Sequence, residues 1–122
     1  MKKLAVIFTF ILLFSGCATN PLTGKNTMAF VDNSQLFPSS FAQYDEFLSE
    51  NTVISGTPDS VLVSKVGTNL ARAAQKWLSA EGYPNYLDNY AWEYKLVQDS
   101  QVNAWCMPGG KIVVYTGILP VT

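Results

Sequence analysis

The spacing of apolar residues changes along the chain and separates a helical region from a strand-rich one. After Pro58, apolar residues recur every three or four positions over about six turns, the pattern of an amphipathic helix. This stripe consists of Leu62, Val66, Leu70, Ala73, Ala74 and Trp77. Thr57 can cap the first turn, Pro58 suits the first helical position, and Gly82 and Pro84 end the pattern. The sequence therefore predicts a long helix from Pro58 that packs through this stripe.

A shorter helix is predicted upstream of the long one. Its apolar residues fall on one helical face, at Phe41, Tyr44, Phe47 and Leu48. Asp32 can cap a helix, but Pro38 lacks a backbone N–H and interrupts the early part. We therefore expect a turn followed by a helix from about Ser39, and a loop over residues 51–56.

After residue 88, apolar residues recur at every second position, which is typical of half-buried strands. Trp92, Tyr94 and Leu96 alternate with polar residues, and further strands are predicted over residues 102–106 and 111–116. A turn at 99–100 and another at 107–110 would join the three strands as an antiparallel meander. The predicted fold class is α+β, with one or two helices packed on a three-stranded antiparallel sheet.

The N-terminal segment has the features of an export signal. Lys2 and Lys3 precede an apolar run over residues 4–14, which is shorter than the roughly 20 residues of a membrane span. Ser15 and Gly16 stand directly before Cys17, and this arrangement resembles the lipobox of bacterial lipoproteins, with an ordinary signal peptide as the alternative.

The lipobox resemblance implies cleavage before Cys17 and attachment of lipid to that cysteine. Residues 1–16 would then be the signal peptide, 17–31 a lipid-anchored tether with a short strand at 27–31, and 32–122 the folded part. The expected location is the cell envelope, facing the periplasm, on the outer membrane in preference to the inner one.

Composition narrows the possible partners and chemistry. The chain has 8 basic and 9 acidic residues without a Lys/Arg cluster, which argues against nucleic acid as a partner. It has 2 cysteines and no histidine. With lipid on Cys17, Cys106 is left without an intrachain disulfide partner, and we expect it to be a small buried apolar residue rather than a nucleophile.

Residues 102–110, which read VNAWCMPGG, carry the functional signal, and Thr116-Gly117-Ile118-Leu119 follows after a β-branched strand. They resemble the Asn-Ala-Phe-x-x-Pro-Gly-Gly segment of the membrane-associated zinc endopeptidases related to HtpX and BepA, metallopeptidase family forty-eight. The long helix, the Trp92 strand and residues 20–24 also look like lipoprotein members of that family. Trp105 stands where Phe is commoner, and Cys106 where Ala is. The Gly-Gly turn alone would equally suit a plain hairpin.

The resemblance implies a role for each part of the motif. Asn103 and Ala104 would belong to an edge strand that pairs with an extended peptide or unfolded protein substrate. The Asn side chain can bond the peptide, and Ala leaves room for it. Pro108, Gly109 and Gly110 would turn the chain without a side-chain clash.

The chemistry of that family requires zinc held by His-Glu-x-x-His on a helix and by a later Glu. A chain without histidine supplies no catalytic residue and no metal ligand, and its carboxylates are scattered, at Asp45, Glu46, Glu50, Glu81, Glu93 and Asp99. We therefore expect the N-terminal part of a metalloendopeptidase of envelope protein quality control, cut before the metal helix and inactive alone. The helix stripe with Val66, Leu70 and Trp77 would then stay partly exposed. The alternative is a non-catalytic envelope lipoprotein module that binds extended peptide or a protein partner through the same edge.

Overall fold

The computed structural model of the chain describes residues 17–28 and 32–122 and separates two units, Met1–Asp32 and Asn33–Thr122. The predicted signal peptide, residues 1–16, lies outside the described residues. So do residues 29–31, the second half of the strand predicted at 27–31. Within the described ranges, no helix is long and apolar enough to cross a bilayer.

The described part of the first unit is a small hairpin. Strand β1 (Cys17–Thr19) pairs antiparallel with strand β2 (Asn26–Met28). The Asn20 side chain closes the turn, because its Oδ1 accepts the backbone N–H groups of Leu22 at 2.9 Å and Thr23 at 3.2 Å. The segment predicted as a tether therefore contains local structure of its own.

The second unit is α+β, as predicted, with helices packed on a sheet. Its helices are α1 (Asn33–Glu50) and α2 (Pro58–Ala80), and a short 3-10 helix (Thr116–Val121) follows the last strand. Within the described residues its strands are β3 (Val53–Ile54), β4 (Glu93–Val97), β5 (Ala104–Met107) and β6 (Lys111–Tyr115). They lie side by side in the order β3-β4-β6-β5.

The predicted three-stranded antiparallel meander is wrong in its strand number and order. β4 and β6 are parallel neighbours, and β5 pairs antiparallel with the far side of β6. β3 adds a strand, antiparallel to β4, from the segment predicted as a loop. The sheet is therefore four-stranded and mixed.

The parallel pair forms because residues 98–103 cross the end of β6 instead of turning back beside β4. Asp99 holds this crossing: its carbonyl accepts the Gly117 N–H at 2.8 Å and the Thr116 hydroxyl at 2.9 Å. A Cβ at Gly117 would overlap the carbonyl oxygen of Ser100. Residues 99–100, predicted as a tight turn, thus belong to a crossover that leaves no room for a side chain at position 117.

Helix α1 begins at Asn33, so its predicted start near Ser39 is wrong. Pro38 lies inside the helix and costs one backbone hydrogen bond. Phe37 is buried beside it, with its ring edge-on to Tyr90 at 5.2 Å between centroids. The Ser40 hydroxyl also donates to the Pro108 carbonyl at 2.7 Å. These tertiary contacts stabilise the first turns despite the proline.

Helix α2 spans the predicted segment and begins at the predicted cap. The Thr57 hydroxyl accepts the Ser60 N–H at 3.2 Å, and the Ser60 hydroxyl accepts the Thr57 N–H at 3.0 Å, a reciprocal capping box. The face of the helix that meets the sheet is not the predicted stripe, however. It is the neighbouring line through Val63, Gly67 and Leu78.

Gly67 explains why the sheet-facing side of α2 lies one residue away from the predicted stripe. A Cβ at Gly67 would overlap the Tyr94 ring, so the absence of a side chain lets the helix approach β4. The larger apolar residues of the stripe stay between 42% and 64% exposed, at Leu62, Val66, Leu70 and Trp77. The partial exposure expected for them is confirmed.

The main core lies between α1 and the sheet. Tyr44, Val97 and Val113 are fully buried there, with Tyr115 beside them. Trp105 of β5 packs on this cluster from the edge of the sheet. The core therefore supports the strand that carries the sequence motif.

Candidate functional site

β5 is the outermost strand of the sheet, and within residues 32–122 no strand pairs with its outer side. The Tyr115 N–H donates to the Asn103 carbonyl at 3.1 Å, which makes 103 and 115 a hydrogen-bonded pair. In an antiparallel ladder such pairs alternate with pairs whose N–H and C=O groups face away from each other. Ala104, opposite Val114, and Cys106, opposite Ile112, therefore direct their backbone groups away from β6, toward the open edge.

The open edge of β5 carries no charge. Residues 100–110 contain no Asp, Glu, Lys or Arg, although edge strands are commonly protected by charged residues or proline. The side chains of Ala104 and Cys106 are both exposed and small. The strand thus directs backbone donors and acceptors toward an edge with little steric hindrance.

Asn103 lies directly before β5, so the structure brings the two predicted peptide-binding residues together at the edge. Its carbonyl accepts from Tyr115, and its own N–H donates to the Gln101 carbonyl at 3.0 Å. The exposed side chain folds back along the strand, where Oδ1 accepts the Ala104 N–H at 2.9 Å. Asn103 therefore lies at the edge with its side-chain oxygen bound to an outward-facing amide of the same strand.

Trp105 holds β5 in place from the α1 side of the sheet. Its indole N–H donates to the Tyr115 hydroxyl at 3.0 Å. Its ring meets Phe47 edge-on, with 4.8 Å between centroids, a favoured aromatic geometry. The edge strand is thus supported by a packed aromatic contact and a hydrogen bond.

Pro108, Gly109 and Gly110 form the turn between β5 and β6. Both glycines have positive φ, 90° and 88°, and a Cβ at Gly109 would overlap Phe41 of α1. The Gly109 carbonyl accepts the Ala91 N–H at 2.9 Å, which ties the turn to the residues before β4. Gly109 and Gly110 are buried and Pro108 is exposed, so the glycines position β5 by packing against the fold.

Cys106 is exposed on β5 with a free thiol, so its prediction as a buried apolar residue is wrong. Side chains alternate between the two faces of a strand, and the Trp105 and Met107 side chains take the face that packs on the core. Cys106 therefore falls on the opposite face, which α1 does not cover.

An apolar groove with a volume of about 290 Å³ lies beside Ala104 on the α2 side of the sheet. Leu62, Val66 and Leu70 of α2 form one wall, and the outward faces of Ile112 and Val114 form the floor. The sequence predicted the exposed stripe but gave no sign of the groove, because the floor belongs to strands distant in sequence.

The groove arises because α2 packs mainly on β4 and leaves Ile112 and Val114 of β6 half-buried, with Ile118 and Leu119 of the 3-10 helix also lining it. Adjacent strands lie about 4.8 Å apart and a helix with its side chains is about 10 Å wide. The uncovered strip is therefore about as wide as one further helix.

The side chains of this chain do not fit a zinc ion. Zinc sites in proteins take three or four ligands from Cys, His, Asp or Glu. The chain has no histidine, and residues 17–28 and 32–122 contain no group of three or more such side chains placed to hold a metal. Glu93 instead forms an ion pair with Lys111 at 2.6 Å.

Comparison with known proteins gives one similarity to an enzyme. A stretch of 50 residues is 38% identical to the mitochondrial metalloendopeptidase OMA1 of Arabidopsis thaliana, and it covers 41% of this chain and 10% of that protein. The chain thus matches about a tenth of the length of this curated relative. No family model matches the chain, and no solved structure matches it. The similarity supports a relationship to the metalloendopeptidases, the class that the motif at residues 102–110 resembles.

Proposed function

We propose that this chain supplies the peptide-binding edge of a zinc metalloendopeptidase domain. The observation that carries the proposal is the open, uncharged outer side of β5. An extended segment of a peptide or unfolded protein adds there as a fifth strand and bonds the outward backbone groups of Ala104 and Cys106. The similarity to a metalloendopeptidase supports peptide hydrolysis as the class of reaction.

Zinc in this proposal is held by ligands outside the 122 residues, because the chain's own side chains do not fit the ion. In the His-Glu-x-x-His motif of zinc peptidases, the two zinc-binding histidines lie one turn apart on a single helix. The groove beside α2 is apolar and about one helix wide. We assign the groove as the seat of that helix. The contribution of this chain is to bind and align the substrate backbone, which accounts for a large share of catalysis in enzymes generally.

A non-catalytic module that binds extended peptide through the same edge is the second candidate, favoured by the absence of histidine from the chain. The two candidates differ in what the gene encodes around this chain. An in-frame His-Glu-x-x-His in the DNA that follows the Thr122 codon would support the peptidase. Its absence from every frame would favour the binding module.

Cys106→Pro tests strand addition at β5. Proline removes the outward N–H of Cys106 but leaves the ladder with β6 intact, because that N–H does not face β6, and proline is tolerated at such edge positions. We expect Cys106→Pro to bind a permanently unfolded protein, reduced carboxymethylated α-lactalbumin, about fivefold or more weakly than wild type, as for loss of one hydrogen bond plus a steric block. Equilibrium binding to the full chain, followed by fluorescence anisotropy, measures this.

Cys106→Ala is the matched control, because it removes the thiol and keeps the backbone N–H. It should bind the unfolded protein as wild type does. Wild-type affinity in Cys106→Pro would contradict strand addition at β5. An equal loss in both variants would assign the interaction to the thiol instead.

We further propose that Cys17 anchors the protein to a membrane of the cell envelope, where it serves protein quality control. In cells fed a labelled fatty acid, the wild-type chain should carry label and Cys17→Ala should not. The chain has 2 cysteines, so Cys106→Ala is the matched control and should keep the label. Equal label in wild type and Cys17→Ala would show that Cys17 is not the anchor.

A further inference from the structure

The side chain of Asn103 occupies a backbone donor that an added strand would need. Its Oδ1 accepts the Ala104 N–H at 2.9 Å, and the register of β5 directs that N–H away from β6. Asn103 is exposed, so its side chain has room to rotate away.

We propose that Asn103 is a displaceable cap on the edge strand, which closes the Ala104 amide in the free protein and opens when an extended backbone adds to β5. The proposal deepens the proposed function, on which its peptide-binding half rests. The cap satisfies the outward amide by a local bond in the absence of a partner. It gives an uncharged edge a form of protection that charged residues supply in other proteins.

Displacement follows from the geometry of hydrogen bonds. An N–H group forms one well-aligned bond at a time, so an incoming carbonyl and Oδ1 of Asn103 compete for the Ala104 N–H. Once displaced, the carboxamide offers both a donor and an acceptor beside the new strand. Asn103 is thus a positioning residue whose side chain exchanges one partner for another.

Amide hydrogen exchange tests the cap without any peptide. In the full 122-residue chain in detergent micelles, residue-resolved exchange is measured by NMR and corrected for the intrinsic rate of each sequence. Asn103→Ala should speed exchange of the Ala104 amide about fivefold, as expected for loss of one exposed hydrogen bond. Asn103→Asp keeps a side-chain oxygen and should leave that amide protected. The Cys106 amide, which Asn103 does not touch, should exchange at the same rate in all three proteins.

Peptide titration tests displacement. The probe is an acetylated and amidated hexapeptide of alternating Thr and Val, which forms an extended strand readily. It should shift the Ala104 and Cys106 amide signals of the wild type, and Asn103→Ala should bind it up to about fivefold more tightly, because no cap competes.

The outcomes separate the cap from the proposed function. Unchanged Ala104 exchange in Asn103→Ala would overturn the cap. Faster exchange together with tighter peptide binding would support it in full. Faster exchange, with no amide shift in any of the three proteins up to millimolar peptide, would establish the cap as edge protection and contradict peptide binding at β5. Weaker peptide binding by Asn103→Ala would overturn the competition and assign the carboxamide as a direct ligand.

Discussion

Gly109→Ala is expected to lower the free energy of unfolding of the second unit by about 2–5 kcal/mol. Gly109 has φ of 90°, a backbone conformation that costs an L-residue about 1–2 kcal/mol. The added methyl would also overlap the Phe41 ring and press on Phe37, both on α1. Overpacking of this kind costs about 1–3 kcal/mol more.

Gly82→Ala separates the two contributions to this loss. Gly82 has nearly the same φ, 92°, but a Cβ there meets nothing within 4 Å. We therefore expect only the backbone cost, about 1–2 kcal/mol. Urea unfolding of the full chain, followed by tryptophan fluorescence, gives both values. Equal losses in the two variants would show that α1 does not pack on the turn as described.

The elements predicted correctly are those whose signals are local in sequence. The Thr57 cap, Pro58 and a helical period fix α2 within a few residues, and the structure places the helix at Pro58–Ala80. The start of α1 was not predictable in this way. Phe37 stabilises the helix around Pro38 through contact with Tyr90, which is distant in sequence.

The strand order could not be predicted, because a meander and the observed β4-β6-β5 order contain the same strands and similar short connections. The difference rests on Asp99, whose carbonyl bonds residues 116 and 117 after the end of β6. Nothing in an Asp-Ser dipeptide distinguishes a hairpin turn from such a crossover. Strand β3 was missed for a different reason, since two residues carry no measurable period.

The face of α2 was predicted one residue out because the contact with the sheet is made around a glycine. Gly67 lies over Tyr94, yet a glycine contributes almost nothing to a hydrophobic pattern. The larger residues of the neighbouring stripe dominate the pattern and line the groove instead. Hydrophobic period therefore identified an apolar surface of the helix correctly, but not the line of residues that meets the sheet.

For the candidate site, the sequence supplied the residues but not their orientation. Asn103 and Ala104 were identified by a motif resemblance, and the structure places both at the open edge. Which backbone groups point outward depends on the register of β5 against β6. That register also shows that Cys106 belongs to the exposed edge and that the Asn103 side chain bonds Ala104.

The ion pair between Lys111 and Glu93 gives the second large expected effect. The Lys111 side chain is 6% exposed and that of Glu93 is 41% exposed, with 2.6 Å between Nζ and Oε1. Nζ also lies 4.7 Å from the centre of the Phe41 ring and 5.6 Å from that of Tyr44. Burial, with smaller effects from Glu93 and Asp45, raises the pKa of Tyr44, so its phenol stays neutral at pH 7. Glu93 is therefore the counter-ion of Lys111 among these contacts.

Glu93→Ala should lower the free energy of unfolding by about 1–3 kcal/mol. Removing one partner of a fully buried pair costs about 3–5 kcal/mol. The loss should be smaller here, because the Glu93 side chain is 41% exposed and water can enter the space that it leaves beside Lys111. Lys111→Met removes that charge and keeps an unbranched apolar side chain, so it should be neutral or stabilise by about 1 kcal/mol. In the Lys111→Met background, Glu93→Ala should then cost almost nothing, because no buried charge is left without a partner. Urea unfolding of the wild type, the two single variants and the double variant measures this coupling. A loss in Lys111→Met as large as that in Glu93→Ala would mean that the ion pair itself stabilises the fold.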